Sequence, residues 1–263
     1  MNLQLEGKIA LVTGASTGLG FATAKLLAQE GAVVAINSRN EKKLQLASER
    51  IQTSTHQAVQ TIPADLAEPN AAQEIISQVI NQHDHLDILI TNAGGPPAGP
   101  FESFADQDWF SAFELSFMSI VRLVRAALPY LKQSSTPAVL TVTSLSVIQP
   151  IQNLILSNSI RAAAIGLTKS LALELGHHGI RFNSILPGWT ETERVTELMS
   201  RRAETNRTTI QEEVQKQAKE SPLGRLGQPE EFANAAVFLV SPAASYITGT
   251  MLNIDGGMYK GTL

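Results

Sequence analysis

The chain has no cysteine among its 263 residues, which excludes disulfides, thiolate nucleophiles and cysteine-based zinc sites. Its five histidines are dispersed, none at metal-ligand spacing with a partner, so no metal is expected. Excess positive charge is missing too. Lys and Arg number 20 against 24 Asp and Glu, a net charge of −4, which advertises no surface for nucleic acid or anionic membrane. No apolar run approaches the ~18 residues of a spanning helix. Residues 1–6 lack the charged start and apolar centre of a secretory leader, and a reducing cytoplasm is the expected setting. Tyrosine is scarce as well, with only Tyr130, Tyr246 and Tyr259.

Strand-like and helix-like stretches alternate almost without exception. Strands are expected over 8–13, 32–37, 58–63, 86–91, 138–143, 180–186 and 251–254. Helices are expected over 18–30, 41–53, 69–81, 106–131, 157–175 and 228–241. Several strands, such as Ile9-Ala10-Leu11-Val12, are near-continuous apolar runs, the pattern of a parallel sheet covered on both faces. No linker, repeat or low-complexity segment interrupts the series. One α/β domain over 1–263, a doubly wound parallel sheet, follows.

The stretch around which this domain is organised is Thr13-Gly14-Ala15-Ser16-Thr17-Gly18-Leu19-Gly20, between the first strand and the first helix. Glycines let backbone N–H groups approach a pyrophosphate, and the helix N-terminus adds unpaired donors and partial positive charge. The spacing of Gly14, Gly18 and Gly20 is G-x-x-x-G-x-G, distinct from the general G-x-G-x-x-G fingerprint. In such sheets ligands bind beyond the carboxyl ends of the strands. Ser38 and Arg39 follow the second strand, where a guanidinium pairs with a 2′-phosphate and an acid would accept from a ribose 2′-hydroxyl. They favour NADP(H) over NAD(H); a solvated charge at a helix start is the plainer reading of Arg39. Asp65 and Leu66 after the third strand form a rim for an adenine, or an ordinary turn. Asn92, Ala93 and Gly94 follow the fourth strand, with Pro96, Pro97 and Pro100 stiffening the loop beyond.

Together with the Pro187-Gly188 turn after Ile180-Arg181-Phe182-Asn183, and the tail from Pro222-Leu223-Gly224-Arg225 to Asp255-Gly256-Gly257, these motifs make a resemblance. The chain closely resembles the short-chain dehydrogenase/reductase family over essentially its full length, in particular members like the 3-oxoacyl-carrier-protein reductases. The resemblance implies a Rossmann-type fold, a nicotinamide dinucleotide, hydride transfer to or from a small molecule, and a homo-oligomer, tetramer or dimer. It implies that Pro187, Gly188, Thr190 and Thr192 lie near the nicotinamide, and that about 190–220 forms a variable substrate lid. It also implies that 228–241 and the last strand make a subunit contact.

The catalytic positions depart from the family. Its members use Asn, Ser, Tyr and Lys, with Tyr thirteen residues after Ser and Lys four after Tyr. Ser144 fits the serine, but Ser157 stands at the tyrosine position, Arg161 at the lysine position and Ser116 at the asparagine position. A serine hydroxyl is a far weaker acid than a tyrosine whose pKa of ~10 is lowered by a cation, and Arg161 keeps its proton at ordinary pH. Ser144, Ser157, Arg161 and Ser116 are therefore candidate residues of an atypical centre, with Arg161 also able to donate to the nicotinamide ribose. Three readings stay open: a reductase of a conjugated enoyl or a carbonyl substrate in which Ser144, Ser157 and Arg161 stabilise negative charge; slow ketone or alcohol turnover; and an NADP(H)-binding sensor or scaffold without turnover. In the lid, Val195, Leu198, Met199, Ile210 and Val214 are expected to face inward, and Trp189 to pack either on a ligand or in the lid core. Arg201, Arg202 and Arg207 are either a solvated face or a site for an acidic substrate. His177 and His178 are expected to be exposed turn residues.

Overall fold

The computed structural model describes residues 1–262. Seven strands form one sheet: β1 (Ile9–Val12), β2 (Val33–Ser38), β3 (Gln60–Pro63), β4 (Ile88–Thr91), β5 (Ala138–Val142), β6 (Arg181–Pro187) and β7 (Met251–Ile254). All neighbours are parallel, in the order β3-β2-β1-β4-β5-β6-β7. Parallel neighbours need crossovers, and helices supply them: α1 (Gly18–Gln29), α2 (Glu41–Thr55), α3 (Ala71–His83), α4 (Asp106–Phe113), α5 (Ser119–Leu131), α6 (Ile155–Leu175), α7 (Glu193–Asn206), α8 (Ile210–Ala218) and α9 (Pro229–Val240).

Because β1, β4 and β5 are apolar on both faces, the sheet seeds two cores. Ala10, Val12 and Ile36 pack with Leu27 of α1, Ile51 of α2 and Phe232 of α9 on one face. Leu11, Leu89 and Phe182 pack with Ile75 of α3 and Leu123 of α5 on the other. The fold is the doubly wound α/β architecture expected from the sequence, and β1, lying between β2 and β4, is the point where the winding reverses.

The differences are local. β4 begins at Ile88, two residues late; the main chain of Asp87 still bonds Ile9 O and Ala138 N, while its carboxylate accepts from Ile9 N at 2.9 Å, in place of a ladder carbonyl, and from Ser134 Oγ at 2.5 Å. The helix expected over 106–131 is two helices joined by a wider π turn at Glu114–Met118. The lid expected at about 190–220 is α7 and α8, whose Met199 is fully buried while Val195, Leu198 and Val214 are partly covered. Ile210 corrects the expectation for that residue: it opens α8 exposed. His177 and His178 are exposed, as expected.

Arg181 at the start of β6 is buried and donates to the carbonyls of Leu239, Val240 and Ser241 at the end of α9. A cation there meets the negative end of the helix and satisfies acceptors that the helix leaves unpaired. Replacing it by methionine, Arg181→Met, is expected to lower stability by roughly 2–3 kcal/mol. Urea unfolding followed by circular dichroism measures this; an unchanged midpoint removes Arg181 as the tie between β6 and α9.

Candidate functional site

The site begins with a hydroxyl. Thr13, just past β1, donates from Oγ1 to Asn92 O at 2.7 Å and accepts from Asn92 N at 3.0 Å, joining the ends of β1 and β4. The Asn92 side-chain amide then donates to Gly14 O at 3.0 Å. Gly14 has φ +58°, and a Cβ there would stand 2.7 Å from Asn92 O, so only glycine fits. Gly20 is as constrained, since its Cβ would fall on Gly14 O and the Asn92 amide. Gly20 thus shapes the loop from behind and lines no cavity, unlike Gly14 and Gly18. The loop leads into α1, whose N-terminus carries no side-chain cap. Its first N–H groups remain available to an anion.

Two adjoining cavities open along this edge of the sheet. One, of about 660 Å³, runs past Gly14, Ser16 and Thr17 to Ser38, Arg39, Asp65 and Leu66. The other, of about 260 Å³, is lined by Gly14, Thr17, Gly18, Leu19, Asn92, Ala93 and Gly94, and by Ser144, Ser157 and Arg161 opposite. Pro187, Gly188, Thr190 and Thr192 close its far side with Trp189. Every sequence-derived site residue except Gly20 and Ser116 therefore lines one of these two spaces. Trp189 has the lid-core role: it packs with Leu145, Met199, Leu226 and Met258, and it also lines the cavity. Of the three lid arginines, Arg201 reaches the larger cavity, Arg202 lies over the Trp189 ring and bonds Gln217, and Arg207 is exposed.

Ser116 is set apart. It lies in the π turn, buried, with no hydrogen-bond partner for Oγ, facing a small separate space of about 10 Å³ that Arg161 and Val142 also line. The π turn that carries it packs on α6, the helix of Ser157 and Arg161, and its small space shares Asn92, Ala93, Val142 and Arg161 with the cavity of Ser144 and Ser157.

Ser144 follows β5 in extended backbone and its Oγ accepts from Ser146 N at 3.1 Å, leaving its own proton free to donate. Ser157, in the first turn of α6, has its Oγ 3.4 Å from Ser146 Oγ. Arg161, one turn further along, is buried and donates from Nη1 to Val142 O and Thr143 O, at 3.2 and 3.0 Å, and from Nη2 to Gly94 O at 3.4 Å. Of five guanidinium N–H groups, two remain. Burial, helped by the nearby charge of Arg194, lowers its pKa to about 10, so it stays cationic at neutral pH. No carboxylate pairs with it among the described residues. Nor does a tyrosine line either cavity, or any group of three acidic or histidine side chains form a metal site, among the described residues.

Residues 14–259 match the family model described as enoyl-(acyl carrier protein) reductase. The chain is 33% identical to the 3-oxoacyl-[acyl-carrier-protein] reductase FabG of Vibrio cholerae over 98% of its length and 99% of the relative's. It belongs to the short-chain dehydrogenase/reductase family. Among solved structures, the L-sorbose reductase of Gluconobacter frateurii complexed with NADPH and L-sorbose superposes with a TM-score of 0.94 at 31% identity, covering 99% of this chain and 100% of that one. A short-chain oxidoreductase of Pseudomonas aeruginosa PAO1, bound to NADPH and containing an atypical catalytic center, superposes with a TM-score of 0.88 at 30% identity, covering 97% and 98%.

Sequence reasoning missed Ile151, Leu154 and Arg194 as lining residues. It also missed the brace between α7 and α8. Glu213 is buried and accepts from Lys216 Nζ at 2.8 Å, Thr208 Oγ1 at 2.7 Å and Asn206 Nδ2 at 3.2 Å. These donors, the lysine first, hold its carboxyl down at about 2. A carboxyl depressed on folding adds stability above its unfolded value, near 4.5, and loses it as pH falls toward the folded one. Amide exchange across 193–218 is therefore expected to accelerate as pH drops from about 4.5 toward 2, relative to the intrinsic rate, while β1 and β4 stay protected. A Glu213→Gln variant should lose that dependence; equal slopes in both proteins would dismiss the brace.

Proposed function

We propose that the chain is an NADP(H)-dependent oxidoreductase that adds hydride to a conjugated enoyl or a carbonyl substrate, with Ser144, Ser157 and Arg161 as an atypical centre. The observation that carries it is the single cavity shared by those three side chains, the glycine loop and the Pro187–Thr192 wall. The residues fit a nicotinamide dinucleotide. A cradle that no Cβ can enter at 14 and 20, an uncapped helix N-terminus and a space continuing to Ser38 and Arg39 suit a pyrophosphate between two nucleosides. The V. cholerae relative is a 3-oxoacyl reductase, and both solved neighbours hold NADPH, which supports the same cofactor here. Arg39, with Lys43 beside it, would take the 2′-phosphate.

When bound, the nicotinamide supplies hydride. The chain's own residues then have a charge to hold. Ser144, whose oxygen already accepts from Ser146 N, donates its proton toward a substrate oxygen, and Ser157 lies beside it. Arg161 contributes a fixed positive potential and two uncommitted N–H donors where negative charge develops. Water supplies the proton, since Arg161 does not release its own. This suits addition to a conjugated C=C bond, where the electrons rest on an enolate oxygen before a carbon is protonated. Exposed Phe110 and Phe113 on α4, Phe113 stacked on Phe117, are consistent with a homo-oligomer.

Fluorescence titration is expected to give at least about tenfold tighter binding of NADPH than NADH, and Arg39→Ala should erase that margin. Equal affinities in the parent protein would sink the NADP(H) assignment. With 2-enoyl and 3-oxoacyl thioesters and small diketones, NADPH oxidation should be measurable, and Ser144→Ala and Arg161→Met should each lower kcat by about 10²-fold. Three of the Arg161 donors already hold main-chain carbonyls. Tight NADPH binding with no turnover across the panel would therefore favour the alternative, a silent NADP(H)-binding sensor or scaffold in which Arg161 only builds the wall.

A further inference from the structure

The two cavities share one lid side chain that carries a positive charge. Arg194, in the first turn of α7, lines both, and Gly14 and Thr17 of the phosphate loop line both from the opposite side. Its Nη2 donates to Pro96 O at 2.7 Å, spanning from the lid to the loop after β4. The guanidinium lies over Gly95, where a Cβ would stand 3.5 Å from Nε and Nη2. A Cβ at 95 would only touch it.

The charges around Arg194 do not balance it. Glu197 Oε2 is 3.7 Å from Nη1, a loose contact, and the neighbouring Glu193 is drawn toward α2 by Lys43 at 3.3 Å. Arg161 and Arg201, the other charges that act on it, are both positive. Burial lowers its pKa despite Glu197. A cation at a helix N-terminus also stands against the helix dipole. In a chain of net charge −4, this throat sets three guanidiniums, Arg161, Arg194 and Arg201, against two carboxylates, Glu193 and Glu197, and adds the positive first turns of α1 and α7. Such an arrangement is costly unless an anion joins it.

Given the nucleotide reading above, a ligand reaching from Arg39 to Ser144 must cross this throat. The charged part of a dinucleotide that lies between its two nucleosides is the pyrophosphate. We propose that Arg194 is a lid-borne clamp for that pyrophosphate, presented opposite the N-terminus of α1. The nucleotide, more than the substrate, then draws α7 down over the cleft, and the larger part of the lid's order is set before any substrate enters.

Calorimetric titration of the full chain with three ligands tests this: NADPH, 2′-phospho-ADP-ribose, which keeps the pyrophosphate without the nicotinamide, and adenosine 2′-monophosphate, which lacks the pyrophosphate. Arg194→Ala should weaken the first two by about ten- to hundredfold and leave the third within about threefold. Arg194→Lys should fall between, and guards against a variant that fails to fold. Hydrogen exchange adds a second readout: NADPH should protect 193–206 in the parent protein and not in Arg194→Ala. Unchanged NADPH affinity in a variant that melts normally, or equal weakening of all three ligands, overturns the clamp and leaves the nucleotide reading standing. A parent protein that binds none of the three overturns both.

Discussion

Everything at the ligand edge depends on the contact between the ends of β1 and β4. The Thr13 hydroxyl, used in both directions, fixes Asn92, and the Asn92 amide fixes Gly14. With φ positive at Gly14 and no room for a Cβ at Gly20, only glycine fits at both positions, and the three hydrogen bonds between Thr13, Gly14 and Asn92 hold the loop in this conformation. That conformation aims the uncapped start of α1 into the cavity. The donors are arranged by packing within the protein, so a ligand would find them already ordered, and little binding energy would be lost to arranging them. β1 lies at the reversal of the winding, so the diverging crossovers leave an opening there, and the same strand that seeds both cores ends in this contact.

Electrostatics sets the second constraint. Burying a guanidinium is costly unless its donors are met. Arg161 meets that demand with three main-chain carbonyls from β5 and the β4 loop. This ties β5, which the Thr13 contact does not reach, to the β4 loop, and it leaves a positive charge that no side chain neutralises among the described residues. A lysine, with a compact ammonium in place of a planar fork, would not span the same three carbonyls. Arg161 is thus as much part of the wall as of the proposed chemistry, and a substitution there disturbs both.

The architecture was legible because parallel strands buried on both faces write themselves as apolar runs, and each run was followed by a helical period. Strand starts were less legible. Leu86 and Asp87 extend the run, yet the regular ladder begins at Ile88, and at Asp87 a side-chain carboxylate, not a main-chain carbonyl, takes Ile9 N. The break between α7 and α8 had a signal in Thr209-x-x-Glu212, a capping box whose two reciprocal bonds form. The residues around the glycine loop and after each strand were legible from position along the sheet. Arg194 was not, because its partner Pro96 is 98 residues away and a charged helix face looks the same whether it meets water or a cleft. Ser116 shows a subtler limit: the π turn buries its hydroxyl in a small space that shares Arg161 and Val142 with the cavity of Ser144 but does not open that hydroxyl into it.

The absence of a tyrosine from the cavity walls bears on the kind of reaction the centre can support. Serine hydroxyls orient and donate hydrogen bonds, but even beside the fixed charge of Arg161 they stay far weaker acids than a tyrosine, and the side-chain hydrogen bonds of Ser144 and Ser157 are with Ser146. A centre of this composition holds negative charge better than it moves protons. Reduction of an isolated ketone needs a proton delivered to oxygen as hydride arrives, whereas addition to a conjugated double bond first places charge on an oxygen that hydroxyls and a fixed cation can stabilise. Protonation at carbon can then be left to water. Under the proposed function the cradle and the Ser144, Ser157 and Arg161 side chains, which line one cavity, would face two anions, a pyrophosphate and an enolate.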